Sequence, residues 1–486
     1  MKSILNMKYR KGVFLLLLLL FITALRLSAQ QNNIDINIHL RGVYESKISL
    51  LPMVGNNALR PILEKGHIKD GSVCKITIPK ERLPGQFVLR FDYKEKKDGS
   101  PYPVEKYFFV SNQNLELWVH PLHISKPDST YFQKGEIENS LFDSFMKENS
   151  LKKKNLALLR NFLIEYDNPK SKFYKLGIAE YENRRKEYNK WLSRQKSKNK
   201  EVFVSHLFSF QYVSSVAWGG DQQARIESMT EHYFDGIDFR DPLLVKTMDM
   251  RKWIDSYVNI YGAKATTIHL RDSLFTLAGK RAIEKSKQGH PIVYGWMVDY
   301  FYRGFESFDI QQGMKMLETY IADPNCLTKK KMEIQKRLDG MKNMMIGSVA
   351  PDFKIEHESG DITQFLEYYT DSKYKLVLFW SADCYHCKEE VEKLNSWYKS
   401  LKNKKTIDIF AISLDESETE IQAWNKLKKQ YFGWHHIRAK GGINSAVANA
   451  YYILSVPVMV LVDTLTNEIV AFPKSIEGLQ KKLVEG

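Results

Sequence analysis

The sequence predicts a multidomain α+β protein, with an amino-terminal β-sandwich, a helical middle domain and a carboxy-terminal α/β layer domain. Three observations carry this. A chain of 486 residues exceeds one ordinary domain. Its apolar periodicity changes twice, from alternation to helical spacing and then to strand and helix in turn. Hydrophobic residues at 43% and aromatics at 13% suffice for packed cores.

Residues 1–29 read as a secretory signal, with an uncleaved amino-terminal anchor as the rival reading. Lys2, Lys8, Arg10 and Lys11 precede an uncharged run from Val13 to Leu25, and Leu27-Ser28-Ala29 ends in a small residue. That order, basic then apolar then small, is the one that export and cleavage require. The apolar run is shorter than the roughly 20 residues that span a bilayer, and no Cys stands at the cut to carry a lipid. The expected location is the periplasm or cell envelope, with the mature chain soluble. Of the bases behind the formal charge of +15, five lie in this leader. Others cluster at Lys152-Lys153-Lys154, from Arg194 to Lys200 and at Lys329-Lys330-Lys331, beside helix-like sequence and acids such as Glu201 and Glu333. These read as solvated helix faces, and a nucleic-acid partner is not expected.

Residues 30–130 form the sandwich. Ile34, Ile36 and Ile38 alternate with polar neighbours, as do Cys74, Ile76 and Ile78, which turns the Cys74 thiol inward. Gly55-Asn56-Asn57, Asp70-Gly71 and Pro84-Gly85 mark turns. Phe108 to Val110 and Leu115 to Val119 flank Ser111-Asn112-Gln113-Asn114, a hairpin-like pattern. Residues 136–344 are helical. Leu141, Phe142, Phe145 and Met146 make one apolar stripe, and Leu156, Leu159, Phe162 and Leu163 the next. Tyr174 to Lys200 reads as a long, charged, exposed helix, followed by helices over Leu243 to Tyr261, Ile268 to Lys287 and Ile310 to Ile321. Asp241-Pro242 and Asp323-Pro324 break them, and Cys326 falls in the turn after the second break.

Residues 346–486 alternate strand and helix. Leu376 to Trp380 is a fully apolar strand, followed by a helix to about Lys402, and Ile407 to Leu414 is a second strand. Ser417 and Glu420 have capping-box spacing, Asn444 to Tyr452 is helical, and Val458 to Val462 pairs with Ile469 to Phe472. Apolar central strands separated by helices imply an α/β layer.

The four cysteines are Cys74, Cys326, Cys384 and Cys387. A chain this large needs no disulfide framework, so the single close pair reads as chemistry. Cys384-Tyr385-His386-Cys387 follows the apolar strand at the mouth of a helix, where unpaired amide N–H groups and positive potential favour a thiolate. Cys384, at the helix end, is the expected attacker. Cys387, on the helical face continued by Val391, Leu394, Tyr398 and Leu401, is placed to resolve a mixed disulfide. His386, between them, either adds positive charge to the attacker or merely faces solvent. Glu390 either relays the Cys387 proton or is a solvated side chain. Trp380 either covers one side of the pair or packs at the strand end. A cis Val456-Pro457 bond would turn the backbone beside the site and free Val456 to pair with a substrate chain.

Three ordered motifs resemble the TlpA/ResA-like branch of thioredoxin-fold proteins, exported thiol–disulfide oxidoreductases. They are Gly347-Ser348-Val349-Ala350-Pro351-Asp352-Phe353, then Leu378-Phe379-Trp380-Ser381-Ala382-Asp383-Cys384-Tyr385-His386-Cys387-Lys388-Glu389-Glu390, then Val456-Pro457. The resemblance covers residues 346–486. It implies a thioredoxin-like fold with Cys384 as nucleophile, Cys387 as resolver, Pro457 cis and Glu390 as the acid near the site. It also implies protein disulfide or dithiol substrates and a membrane-linked thiol as electron donor or acceptor. Tyr385 replaces the common proline, Asp383 a common aromatic, and Leu378 stands where thioredoxin has a buried Asp, which argues against a thioredoxin-identical proton relay and leaves the redox potential unassigned. The upstream zones look like modules preceding such domains in envelope proteins of gut-type anaerobes.

No cofactor and no metal are expected. Zinc needs two further ligands, for which only His435-His436 is tempting. Covalent haem needs His after the second Cys, where Lys388 stands. A peroxiredoxin shares the Ala350-Pro351-Asp352-Phe353 entry but has proline where Val377 stands. The rival of a different class is a non-catalytic envelope scaffold with a vestigial redox domain.

Overall fold

Alternation of apolar and polar residues makes the first strands one-sided, and one-sided strands must share a core. A computed structural model describes residues 33–485 apart from 55–56, 59, 220–221, 358–359 and 402–403. The leader expected at residues 1–29 and the turn at Gly55-Asn56 lie outside the described residues. The amino-terminal strands are β1 (Ile34–Leu40), β2 (Glu45–Val54), β3 (Asn57–Ala58), β4 (Leu63–Lys69), β5 (Val73–Ile78), β6 (Gly85–Lys94), β7 (Tyr102–Val110), β8 (Leu115–Val119) and β9 (Tyr131–Phe132). One sheet runs β5-β1-β8-β9; the other runs β3-β2-β6-β7, with β4 also on β2. Ile36, Ile38, Ile76 and Leu117 of the first meet Ile48, Leu50, Phe87 and Phe91 of the second in one core. This is the expected sandwich. Cys74 lies in it opposite Ile38, and burial raises its thiol pKa.

The hairpin expected across residues 111–114 does not form. β7 pairs with β6, whereas β8 pairs in parallel with β1, so the chain steps from one sheet to the other. The place beside β7 is already occupied at Phe109. Asn139 accepts from the Phe109 N–H at 2.8 Å and donates to its carbonyl at 2.9 Å, as a neighbouring strand would.

Asn139 stands in the first turn of α1 (Glu138–Ile164), which is followed by α2 (Lys172–Lys198), α3 (Gln222–Glu231), α4 (Asp249–Gly262), α5 (Ile268–Lys287), α6 (Pro291–Phe308), α7 (Gln311–Ile321) and α8 (Lys331–Asn343). The Glu136 carboxylate accepts from the Asn139 and Ser140 N–H groups, both at 2.9 Å, and so caps α1. Glu138 accepts from Phe203 N–H, Val204 N–H and the Ser111 hydroxyl. The two apolar stripes expected in residues 141–163 belong to one helix. The charged segment expected to be exposed is buried along one side. Tyr174, Tyr181 and Tyr188, at heptad spacing, pack on Leu156 and Leu163 of α1. Charge along the rest of α2 hides that stripe from a reading of composition.

The division between the chain's two compact units falls within α6, between Met297 and Val298. In the second unit Cys326 is buried between α7 and α8, which pushes its thiol up to about 11. The strands here are β10 (Lys354–Glu356), β11 (Ile362–Gln364), β12 (Tyr374–Trp380), β13 (Ile407–Ser413), β14 (His435–Arg438), β15 (Val458–Asp463) and β16 (Ile469–Ala471). The helices are α9 (Tyr385–Ser400), α10 (Glu418–Leu427), α11 (Ala446–Ala450) and α12 (Ile476–Glu485). The main sheet runs β14-β13-β12-β15-β16, with β12 to β14 parallel and β15 antiparallel to β12. All of β12 is buried. Leu376, Leu378 and Trp380 enter one core with Val391 and Leu394 of α9; Val377 and Phe379 enter the other with Phe410 and Tyr451. A sheet covered on both faces is the α/β layer the apolar strands imply. Among the described residues no helix is long and apolar enough to cross a membrane.

Candidate redox site

β12 ends at Trp380 and α9 starts at Tyr385, so the chain leaves the central strand and enters a helix within four residues. Cys384 is the N-cap, with φ −80° and ψ 118°, and its Sγ accepts from the Cys387 N–H at 3.3 Å. A sulfur thus fills the position usually held by a Ser, Thr, Asp or Asn oxygen, against the positive end of the helix. Cys384 is half-buried, whereas Cys387, one turn on, is 0% exposed beside Val391 and Leu394. Both thiols are free. Burial, and next the hydrogen bond with Cys384, push the Cys387 thiol up to about 12. One sulfur is thus partly accessible and the other is shielded.

The Val456–Pro457 bond is cis, and the Cys384 thiol donates to the Val456 carbonyl at 3.9 Å. Trp380 is buried in the core on the Cys387 side of the sheet, edge-on to Tyr431; its indole N–H has no partner among the described residues. It shares that buried cluster with Cys387, and Cys384 packs against it. His386 points to solvent at 82% exposed, with Nδ1 3.8 Å from the Glu389 carboxylate.

Glu390 is directed elsewhere. At 18% exposed, it takes Lys393 at 2.7 Å and accepts from the Ile476 N–H at 3.3 Å, so it holds the start of α12. The carboxylate behind the cysteines is one for which the sequence suggests no role. Asp415, 1% exposed just past β13, accepts from the Ser381 hydroxyl at 2.7 Å and from the Ala382 N–H at 3.0 Å with each oxygen. It also accepts from the Ser413 hydroxyl at 2.7 Å. The Ser381 hydroxyl in turn accepts from the Asp383 N–H at 3.1 Å. One buried anion therefore fixes the turn that presents Cys384, and its charge adds to the upward push on the Cys387 thiol. Nothing local marks it in the sequence, since an acid that follows an apolar strand normally faces solvent.

His435 and His436 lie on β14, the first bonded to Asp408 at 3.2 Å and the second to the Tyr431 carbonyl at 2.9 Å. Among the described residues no group of three or more His, Cys, Asp or Glu side chains is placed to hold a metal ion.

Residues 371–469 match the model of a thioredoxin-like family, and the carboxy-terminal domain is thioredoxin-like in fold. No curated protein matches the chain. Among solved structures, a thioredoxin-like protein from Bacteroides caccae is 16% identical, covering 56% of this chain and 98% of its own, with a TM-score of 0.38. A thiol–disulfide oxidoreductase from Bacteroides fragilis is 29% identical over 28% of this chain and 98% of its own, with a TM-score of 0.24. The thioredoxin domain of one from Bacteroides vulgatus is 27% identical over 29% and 96%, with a TM-score of 0.25.

Proposed function

We propose that the chain is an exported thiol–disulfide oxidoreductase that exchanges disulfides with protein substrates through Cys384 and Cys387. The observation that carries this reading is the pairing of a half-exposed sulfur at a helix N-cap with a buried thiol one turn deeper. In the reducing direction the Cys384 thiolate attacks a substrate disulfide. A Cys384–substrate S–S bond forms and the second substrate sulfur leaves as thiolate. Cys387 then gives its proton to that leaving sulfur and attacks Cys384, which releases the first substrate sulfur and leaves a Cys384–Cys387 disulfide. Two electrons have passed to the substrate, and a membrane-linked dithiol returns them; run backwards, the same steps oxidise a substrate dithiol.

The cis Val456–Pro457 segment, whose Val456 carbonyl already faces the Cys384 sulfur, is the backbone against which a substrate chain lies. Asp415 holds the turn, and the pair needs neither cofactor nor metal for these steps. Insulin reduction by the full chain is the test. Cys384→Ser abolishes turnover, and Cys387→Ser leaves substrates trapped on Cys384 as mixed disulfides seen on non-reducing gels. Full activity in Cys384→Ser would end the proposal.

A further inference from the structure

Away from the cysteines, residues of α1 and α2, with Tyr212 to Ser214, Val216, Met229 and Tyr233, line a half-open cavity of about 300 Å³. That is the lower end of the range for small-molecule sites, roughly 300–1,000 Å³. Most of its wall is apolar or aromatic, including Met229 and the side chains of Tyr181, Tyr212 and Tyr233. Into this wall α1 sets two cations, Lys153 and Arg160, on one helical face two turns apart. No carboxylate lines the cavity among the described residues.

Neither cation is fully matched. Lys153 donates to the Gln211 side chain at 3.0 Å, one acceptor for an ammonium with three donors. Arg160 Nε is buried and has no hydrogen-bond partner among the described residues. Burial, and next the neighbouring Arg160 charge, push the Lys153 ammonium down to about 8, the mark of positive charge without a counter-ion. A buried donor without an acceptor is costly, and a fold that retains one beside an aromatic-walled cavity has the parts of an anion site.

We propose that this cavity binds a small organic carboxylate with a flat apolar body, its carboxylate held by Arg160 and Lys153 and its body against the tyrosines. A bare inorganic anion would use the cations and leave the aromatic wall idle. A neutral ring would use the wall and leave the cations unmatched. The carboxylate with a ring uses both.

Calorimetric titration of the full chain with benzoate, benzamide and inorganic phosphate tests this. Benzoate binds saturably, and benzamide and phosphate bind roughly tenfold more weakly or not at all, the loss of one charge-assisted contact or of the apolar contact. Arg160→Gln weakens benzoate by about tenfold or more. Should that variant fail to fold, Lys153→Met reads the same loss. Absence of benzoate binding overturns the proposal. So does equal affinity for benzamide or phosphate, or unchanged affinity in a folded variant.

Discussion

Asp415 is the residue on which the turn before Cys384 depends. Its two oxygens accept from two hydroxyls and the Ala382 N–H. Asp415→Asn sets an amide NH2 against those donors and removes a buried anion from a fully hydrogen-bonded niche. The expected loss is about 2 kcal/mol of stability by urea denaturation, together with slower disulfide exchange because Cys384 is held less firmly. Cys387 makes a second prediction, in pH. Its folded thiol is raised to about 12 from an ordinary value near 9. The stability tied to keeping it protonated is complete below about pH 9 and drains away as pH rises towards 12, at roughly 1.4 kcal/mol per unit. The difference in unfolding free energy between the reduced wild type and Cys387→Ala should therefore shrink over that window. A difference that stays flat would deny the burial.

Short-range pattern accounts for what the sequence discloses of the elements. The capping box at Ser417 and Glu420 is present on both sides, Ser417 accepting from the Glu420 N–H and Glu420 from the Ser417 N–H. Ser417→Ala should cost about 1 kcal/mol, measured by thermal unfolding of the full chain. The start of α9 at the first cysteine and the buried strand β12 are legible for the same reason: cap, strand and apolar face are encoded within a few neighbours. What is not legible joins distant positions. Ser381, Ser413 and Asp415 are ordinary polar residues until β12 and β13 lie side by side. Glu390 has the spacing of an acid beside Cys387, yet α12, some 86 positions further on, supplies the N–H that claims it. β14 is short and carries two histidines and an arginine, so neither length nor apolar content marks it; its place beside β13 makes it a strand. The missing hairpin has the same origin, since Asn139 takes the place beside Phe109 that local pattern would assign to β8.

Across the whole chain the four cysteines divide by access. Cys74, Cys326 and Cys387 are buried with thiols raised by burial, and Cys384 alone is half-exposed. Brief alkylation of the native reduced protein should therefore add one label, at Cys384, and unfolding in urea should open all four, as read by peptide mass spectrometry. Rapid native labelling of a second site would contradict the packing. The clasp at the start of α1 bears on where the chain can be cut. The last sandwich strand ends at Phe132, but Glu136, Glu138 and Asn139 lie beyond it. A fragment stopping at residue 134 bares the peptide groups of Phe109 along a sheet margin and should form soluble multimers on gel filtration. Extending the same piece through the opening turns of the helix restores that seal, so the scissors belong after the sandwich has borrowed its last side chain.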